Sequence, residues 1–582
     1  MDRRDQQILQ WLAESSDEEQ VGGSDSEPEV DEIAQSDHNS ASEIDQSSAQ
    51  SSESSDNEED SSARRYDNFY FTRRNGRNGP KQKWSKTPPS SAVRTRGHNI
   101  ILHLPGVKSA ARSAKTALEC FSLFFSDEIF NLLVTCTNQY IGEVRNKFQR
   151  ERDAKDTDVE EIKALLGLLI MSGVLRASHL NFRDLWATDG TGVEIFRLTM
   201  RYQRFLFLLR CLRFDDRTTR AERLQIDNLA AIREICDKLL VKYQEAYSPG
   251  ENVTIDEQLI GFRGRFKGKV YMPSKPNKYG IKNQALVDSK TFYLLAFEVY
   301  SGKQPAGPYQ VSNSPNDIVK RLVEPIKGSN RNVTTDNWYT SVKLATDLLD
   351  PPYKLTLVGT LKKNKPDIPQ DFLPNKNKPQ FSSLFGIRSK MTMVSYVPKP
   401  NKAVVLLSSM HHAAHIDPYS NDQQKPEIIM YYNSTKGGVD TNDHLCGTYS
   451  VGRRTKRWPL AIFFHLINVT GINALVIHRA NTDKSSTHVR RHFLRQLSVE
   501  LVQNHQKRRL EVNATPKMVK KRLLEVHELE NRVAPTTAKR GRCNSCPRKN
   551  DRKIATKCTK FVCNDHSQIY CQQCNKSDSD SS

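Results

Sequence analysis

Large apolar side chains are nearly missing from residues 12–62, where Ser, Asp and Glu dominate. Such a segment cannot bury enough surface to offset the entropy of ordering, so disorder is expected. Residues 64–97 carry ten Lys or Arg and one Asp, interleaved with Tyr66, Phe69, Tyr70, Phe71 and Trp84. That pattern reads as a solvated basic linker, or as a DNA-contacting arm or nuclear-import segment. From about residue 115 the apolar spacing becomes helical. Phe121, Phe124, Phe125 and 129–133 fit one amphipathic stretch, and Asp158 can cap a helix through Ile162, Leu165, Leu166, Leu169 and Ile170. Residues 205–212 and 229–243 continue the α-rich region to about 248.

At Ser248-Pro-Gly250 the period changes. Residues 253–260 read as a strand; 281–287 and 292–300 read as a hairpin turning at 288–290. A short helix is expected at 315–323, a strand ending at Asp336, a helix at 342–349 and a strand at 354–359. Residues 362–400, rich in Lys, Pro and Asn, look like an insertion. Residues 404–408 and 428–432 are strand-like, 439–449 and 460–480 helical, and 505–542 a very basic helix and linker. The longest apolar stretch, 460–477, contains His465, Asn468, Thr470 and Asn473, which favours a buried helix over a membrane span. No internal repeat is visible.

Composition sharpens this mixed α/β picture. The 582 residues are 37% hydrophobic, against roughly 45–50% in an ordinary globular chain. The net charge of +20 is the sum of −17 in residues 1–62 and +37 in the rest. A folded body that basic implies a polyanionic partner, most simply nucleic acid. The first residues have no apolar core of a secretory signal. Ser15, Ser16, Ser54 and Ser55 precede acids and suit an acid-directed kinase.

Three acidic positions stand out. Asp256 lies in the first expected strand, Asp336 at the end of a later one, and Asp440 and Asp443 on one face of a helix that starts after Gly437-Gly438. Carboxylates on adjacent strands and a nearby helix can hold two Mg²⁺ ions, which clamp the attacking and leaving oxygens of an in-line phosphoryl transfer. Around them lie Arg263, Arg265, Lys275, Lys278 and Lys282, and then Arg453, Arg454, Lys456 and Arg457. Bases beside clustered acids offer the neutralisation that a phosphodiester backbone needs.

These residues sit in longer words: Thr254-Ile-Asp-Glu-Gln-Leu-x-Gly-Phe-Arg-Gly-Arg265, Tyr271-x-Pro-x-Lys-Pro-x-Lys-Tyr-Gly-Ile-Lys282, Thr335-Asp-Asn-Trp338, Tyr353-Lys-Leu-Thr-x-Val-Gly-Thr360 and Tyr431-Tyr-Asn-x-Thr-Lys-Gly-Gly-Val-Asp-Thr-x-Asp443. Together they resemble the piggyBac transposase family, from about residue 120 to 574. The resemblance implies an RNase H-like catalytic core at 252–361 and 427–449, interrupted by an insertion domain at 362–426. Helices at 106–251 and 450–530 would form a dimerisation and DNA-binding domain, so a homodimer is implied. A disordered N-terminal region (1–105), a basic linker (531–542), a cysteine-rich zinc finger (543–574) and a disordered tail (575–582) complete the expected organisation. By motif match, Asp256, Asp336 and Asp440 would be the DDD metal ligands and Asp443 a fourth important acid. Lys362 and Lys365 match positions associated with target DNA. Such enzymes free a 3′-hydroxyl at each transposon end, pass through hairpin ends and join TTAA target DNA in the nucleus. The intact acids favour an active enzyme over a domesticated DNA-binding protein without catalysis.

Six of the eleven cysteines fall in the last 40 residues, spaced Cys543-x2-Cys546-x11-Cys558-x4-Cys563-x2-His566-x4-Cys571-x2-Cys574. Two CxxC pairs and a Cys-x2-His pair are a strong zinc signal and point to a reducing compartment. The resemblance implies a cross-brace finger that binds transposon-end DNA, with Cys543, Cys546, Cys563 and His566 on one zinc. Cys558, Cys571 and Cys574 would hold a second, whose fourth family ligand is replaced by Ala555. His411, His412 and His415 lack metal-ligand spacing and are not read as a site.

Overall fold

The computed structural model describes residues 68–72, 82–88, 97–482 and 489–527, with the backbone of the short strands Ala34–Gln35, Gly541–Arg542 and Lys553–Ile554. The zinc ligands, the N-terminal serines and the rest of the acidic segment lie outside these residues. The chain divides into two units, residues 1–505 and 506–582.

In the first unit, helices form where the apolar spacing predicts them. α1 (Ala117–Ser122) opens on a reciprocal capping box between Thr116 and Glu119. α2 (Asp127–Val144) follows, then α3 (Val159–Val174), whose N-cap Asp158 accepts from the Glu161 amide at 3.0 Å. α4 (Tyr202–Cys211) and α5 (Arg233–Ala246) complete the segment before the sheet. A ladder of rings forms its core: Phe121 stacks on Phe125 at 4.8 Å, and Phe125 and Phe214 both meet Phe463.

Besides the two-residue strand Ala34–Gln35, which pairs parallel with Lys269–Tyr271 at one edge, the twelve-stranded sheet contains β1 (Phe69–Phe71), β2 (Lys83–Ser85), β3 (Asn252–Gly261), β4 (Lys269–Tyr271), β5 (Tyr279–Asp288), β6 (Leu294–Val299), β7 (Asn332–Thr335), β8 (Thr356–Thr360), β9 (Ser383–Arg388), β10 (Met391–Tyr396) and β11 (Val404–Ser408). Its order runs β4-β5-β3-β7-β8-β11-β10-β9-β2-β1, with β6 beside β5. β3, β7 and β8 are parallel to one another, and the other neighbours among the numbered strands are antiparallel. The interval read as an insertion thus supplies three strands that continue the same sheet. β1 and β2 correct the expectation of disorder through residue 105. Trp84 is fully buried, and the Tyr70 ring meets Phe372 edge-on at 5.1 Å. Tyr70 and Trp84 are thus packing residues of an edge hairpin.

Among the helices, α6 (Pro315–Leu322) and α7 (Val342–Leu349) appear where expected. Residues 428–432, expected as a strand, belong to α8 (Glu427–Thr435). A five-residue apolar run does not distinguish the two periods, and Pro426 occupies the N-cap. Ile428, Ile429 and Thr435 are buried along one helical face. α9 (Gly438–Thr448) follows, then α10 (Trp458–Asn481) and α11 (Arg490–Glu511). α10 is long and apolar enough to cross a membrane, yet 94% of its most apolar window is buried inside the protein. The four polar residues at 465, 468, 470 and 473 all have partners here. His465 Nε2 lies 3.2 Å from Gln258 Oε1, Asn468 accepts from the Val451 amide at 3.0 Å, and Thr470 meets the Tyr243 hydroxyl at 2.7 Å. Asn473 brackets Leu294, accepting from its amide and donating to its carbonyl, both at 2.9 Å. The helix therefore joins the helical region to the sheet through hydrogen bonds that a lipid face could not supply.

The second unit holds the end of α11, α12 (Lys517–Val526) with Leu523 buried, and an antiparallel pairing of Gly541–Arg542 with Lys553–Ile554.

Candidate active site

β3 and β7 run parallel with Thr335 opposite Ile255. The next residue on each chain is an aspartate, so the register sets Asp256 and Asp336 side by side. β3 is covered on both faces: residues 253–260 are all buried. Glu257 is therefore buried as well as Asp256. One ligand oxygen from each of Asp256, Glu257 and Asp336 lies within 4.8 Å of the other two. Asp256 Oδ1 accepts from the Glu257 amide at 2.8 Å; Asp336 Oδ1 accepts from the amides of Trp338 and Tyr339 at 3.0 and 3.4 Å.

Crowded, dehydrated carboxylates resist ionisation. Burial and then the charge of Asp256 push Asp336 up to about 7. Burial raises Asp256 too, and the neighbouring Asp256 adds to burial in lifting Glu257 well above the carboxylate range. Hard oxygen donors at this separation suit a divalent cation, whose charge would relieve that resistance.

The other two acids arrive on α9. Thr254 Oγ1 donates to the Thr435 carbonyl at 2.6 Å, and Thr334 Oγ1 donates to Thr435 Oγ1 at 2.8 Å, so the end of α8 is held on β3 and β7. The start of α9 then lies so close to β3 that a Cβ on Gly438 would meet Thr254 Oγ1 at 2.5 Å and its Cβ at 3.0 Å. Asn442, buried below, accepts from Gln258 Nε2 and donates to the Phe292 carbonyl, both at 2.8 Å. Asp440 faces outward, its side chain 64% exposed, and is not part of the compact trio; Lys275 Nζ donates to it at 3.1 Å. Asp443 is pushed up to about 6 by burial, which outweighs the opposing charge of Lys275. Asp440, Asp443 and Lys275 line an open cleft of about 1070 Å³, with Arg176, Arg453 and Arg454 on its wall.

The other predicted bases divide by exposure. Arg263, Arg265, Lys278, Arg454 and Lys456 are exposed, while Lys362, Lys365, Arg453 and Arg457 are half-buried. Lys362 is near enough to oppose the rise at Asp336. Arg453 donates to the carbonyls of Ser178 and Leu180 and lies over the Phe182 ring. Arg457 donates to the carbonyls of Leu209, Arg210 and Leu212. Lys275 and Lys282 are buried: the first is in the acid cluster, the second over the rings of Tyr300 and Trp338 at 5.0 and 5.3 Å. His411, His412 and His415 go separately to Ser408, His98 and Glu427.

Sequence reasoning missed Glu257 and the inward role of Lys275. The signal for the first was present, since Val253, Ile255, Leu259 and Ile260 place apolar residues on both faces of the strand.

A transposase family described as Transposase IS4 matches residues 116–475. With the mixed sheet and its acids, a match of that extent places the chain in the DDE-type transposase family. Human piggyBac transposable element-derived protein 3 is 24% identical over 392 residues, 64% of this chain and 62% of the relative. The chain thus spans less than two thirds of that relative's length. Human piggyBac transposable element-derived protein 5 is 19% identical over 432 residues, 71% of this chain and 80% of the relative. A cryo-EM structure of piggyBac transposase in a synaptic complex with hairpin DNA is 35% identical, with a TM-score of 0.69 over 81% of this chain and 100% of that chain. The chain belongs to the piggyBac-type transposases.

Proposed function

We propose that the protein is a cut-and-paste DNA transposase that binds transposon terminal repeats as a homodimer in the nucleus, excises through hairpin ends and integrates at TTAA. The observation that carries this reading is the strand register that sets Asp256 beside Asp336, with Asp440 and Asp443 delivered across from them. The strand order β6-β5-β3-β7-β8, antiparallel for the first three and parallel for the last three, supports an RNase H-like core. Asp256, Asp336 and Asp440 would hold Mg²⁺, with Glu257 beside the first two. When bound, Mg²⁺ neutralises phosphoryl oxygens and activates an oxygen nucleophile. The chain's own groups position the strands: exposed Arg263, Arg265, Lys278, Arg454 and Lys456 neutralise phosphates around the cleft. Asp443, titrating near 6, takes and returns a proton close to neutral pH. The cysteine module binds zinc and end DNA, and the N-terminal serines are kinase substrates.

The competing reading is a DNA-binding protein without catalysis, favoured by the curated human relatives being named as element-derived proteins. Excision from a TTAA-flanked terminal-repeat donor decides between them. Wild type with Mg²⁺ is expected to exceed Asp336→Asn by at least about 100-fold. Equal, background excision by the two proteins replaces the enzyme with the domesticated protein.

A further inference from the structure

The acids of the cleft are not equivalent. Asp256, Glu257 and Asp336 converge within 4.8 Å, whereas Asp440 stands outside that trio. What Asp440 has instead is an ammonium group. Lys275 is 9% exposed at its side chain, and its Nζ donates to the Glu257 carbonyl at 3.0 Å and to Asp440 Oδ1 at 3.1 Å. The first bond anchors the cation to the backbone of β3 itself. The second gives an otherwise exposed carboxylate a fixed partner. A divalent ion using Asp440 must therefore compete with a cation that the fold has installed there, and two cations so close repel strongly in a partly dehydrated site.

We propose that Lys275 is a positioning residue that occupies the second cation position of the metal-free protein. It holds Asp440 in place and admits an ion there only once a DNA phosphate draws its ammonium away. The proposal rests on the divalent-metal reading above and deepens it: ion loading becomes sequential, first at the trio and then at Asp440 with DNA. The buried lysine lines the same open cleft as Asp440 and Asp443, where an incoming phosphate can reach it.

The test is the stoichiometry of Mn²⁺ on the full-length, zinc-loaded chain, followed by the electron paramagnetic resonance of free Mn²⁺. Without DNA, wild type is expected to bind one ion at the cleft, and Lys275→Met to bind a second at least tenfold more tightly than wild type does. Lys275→Arg should retain one ion, and the Lys275→Met/Asp440→Asn double variant should lose the extra one. The acids of residues 1–62 are common to all these proteins, so differences report the cleft. Should Lys275→Met fail to fold, Asp440→Asn alone serves: its ion count should equal that of wild type, because Lys275 already occupies that carboxylate. A short DNA duplex should raise wild type to two ions. Two equal ions on DNA-free wild type, or one on folded Lys275→Met, would overturn the role of Lys275 while leaving the metal reading intact. No bound ion on any of these proteins, with or without DNA, would sink the metal reading and this proposal together.

Discussion

Asp336 is pushed up to about 7 by burial and by the charge of Asp256, so the folded chain holds a proton that the unfolded chain releases near 3.8. The stabilisation from that proton is complete below the unfolded value, declines as pH rises and is gone above about 7. Each pKa unit corresponds to about 1.4 kcal/mol, discounted here by the site's partial contact with water. Asp336→Asn is therefore expected to stabilise the metal-free protein by about 1–3 kcal/mol at about pH 8 and hardly at all at about pH 4. Urea unfolding at both pH values measures this, and the same gain at each would show that ionisation is not its cause. Asp256 and Asp336 were legible in the sequence because one lies inside an expected strand and the other at the end of a second, each within a recognisable word and a basic context. Glu257 was passed over because an ordinary alternating strand turns one of two consecutive residues to water, although the apolar residues on both faces of this one signalled its double cover. Only the double cover of β3 buries both. Lys275 was read as a DNA contact because charge density alone does not distinguish an ammonium facing solvent from one turned onto a carboxylate.

Elements were legible where their period was long. α3 and α10 follow from sustained apolar spacing, and the four polar residues of α10 foretold its partners in the protein interior. α8 was misread because its apolar run is too short to reveal a period. The β1–β2 hairpin was missed because three-residue strands inside a basic segment carry little pattern, and Trp84 is buried only through contacts made far along the chain. The α8–α9 junction shows how elements deliver a site. Gly437 and Gly438 read alike in the sequence, but their surroundings differ. A Cβ on Gly437 would find its nearest neighbour at 3.8 Å, an ordinary contact, whereas one on Gly438 would collide with Thr254. Gly438→Ala must push the start of α9 off β3 and carry Asp440 with it. It is expected to cost about 1–3 kcal/mol and to lower excision. Gly437→Ala, at φ −81°, should change stability by less than about 0.5 kcal/mol. Equal effects of the two substitutions in urea unfolding would mean that the close approach does not set this junction.

Across the whole molecule, the charge that first pointed to a polyanionic partner separates into two opposed parts. Residues 1–62 carry −17 and the remainder +37. Of the five exposed bases, Arg454 lines the acid cleft itself, and Arg263, Arg265, Lys278 and Lys456 lie within a few residues in sequence of others that line it. A polyanionic segment on the same chain is present at an effective concentration on the order of millimolar. It is therefore expected to compete with DNA for basic surface, most strongly against weak, sequence-independent contacts. Those contacts are also the salt-sensitive ones, because each neutralised phosphate contributes about −0.9 to the slope of log affinity against log salt. Deleting residues 1–62 is accordingly expected to raise affinity for random duplex about 3–10-fold at low salt and to steepen the slope by at least about 1. Affinity for a terminal-repeat duplex should rise less, because base contacts and shape add terms that the segment cannot mimic. Fluorescence anisotropy across a salt series measures all three quantities. If the truncated protein binds random duplex with the same affinity and slope as the full chain, the acidic segment does not compete for the DNA-binding surface.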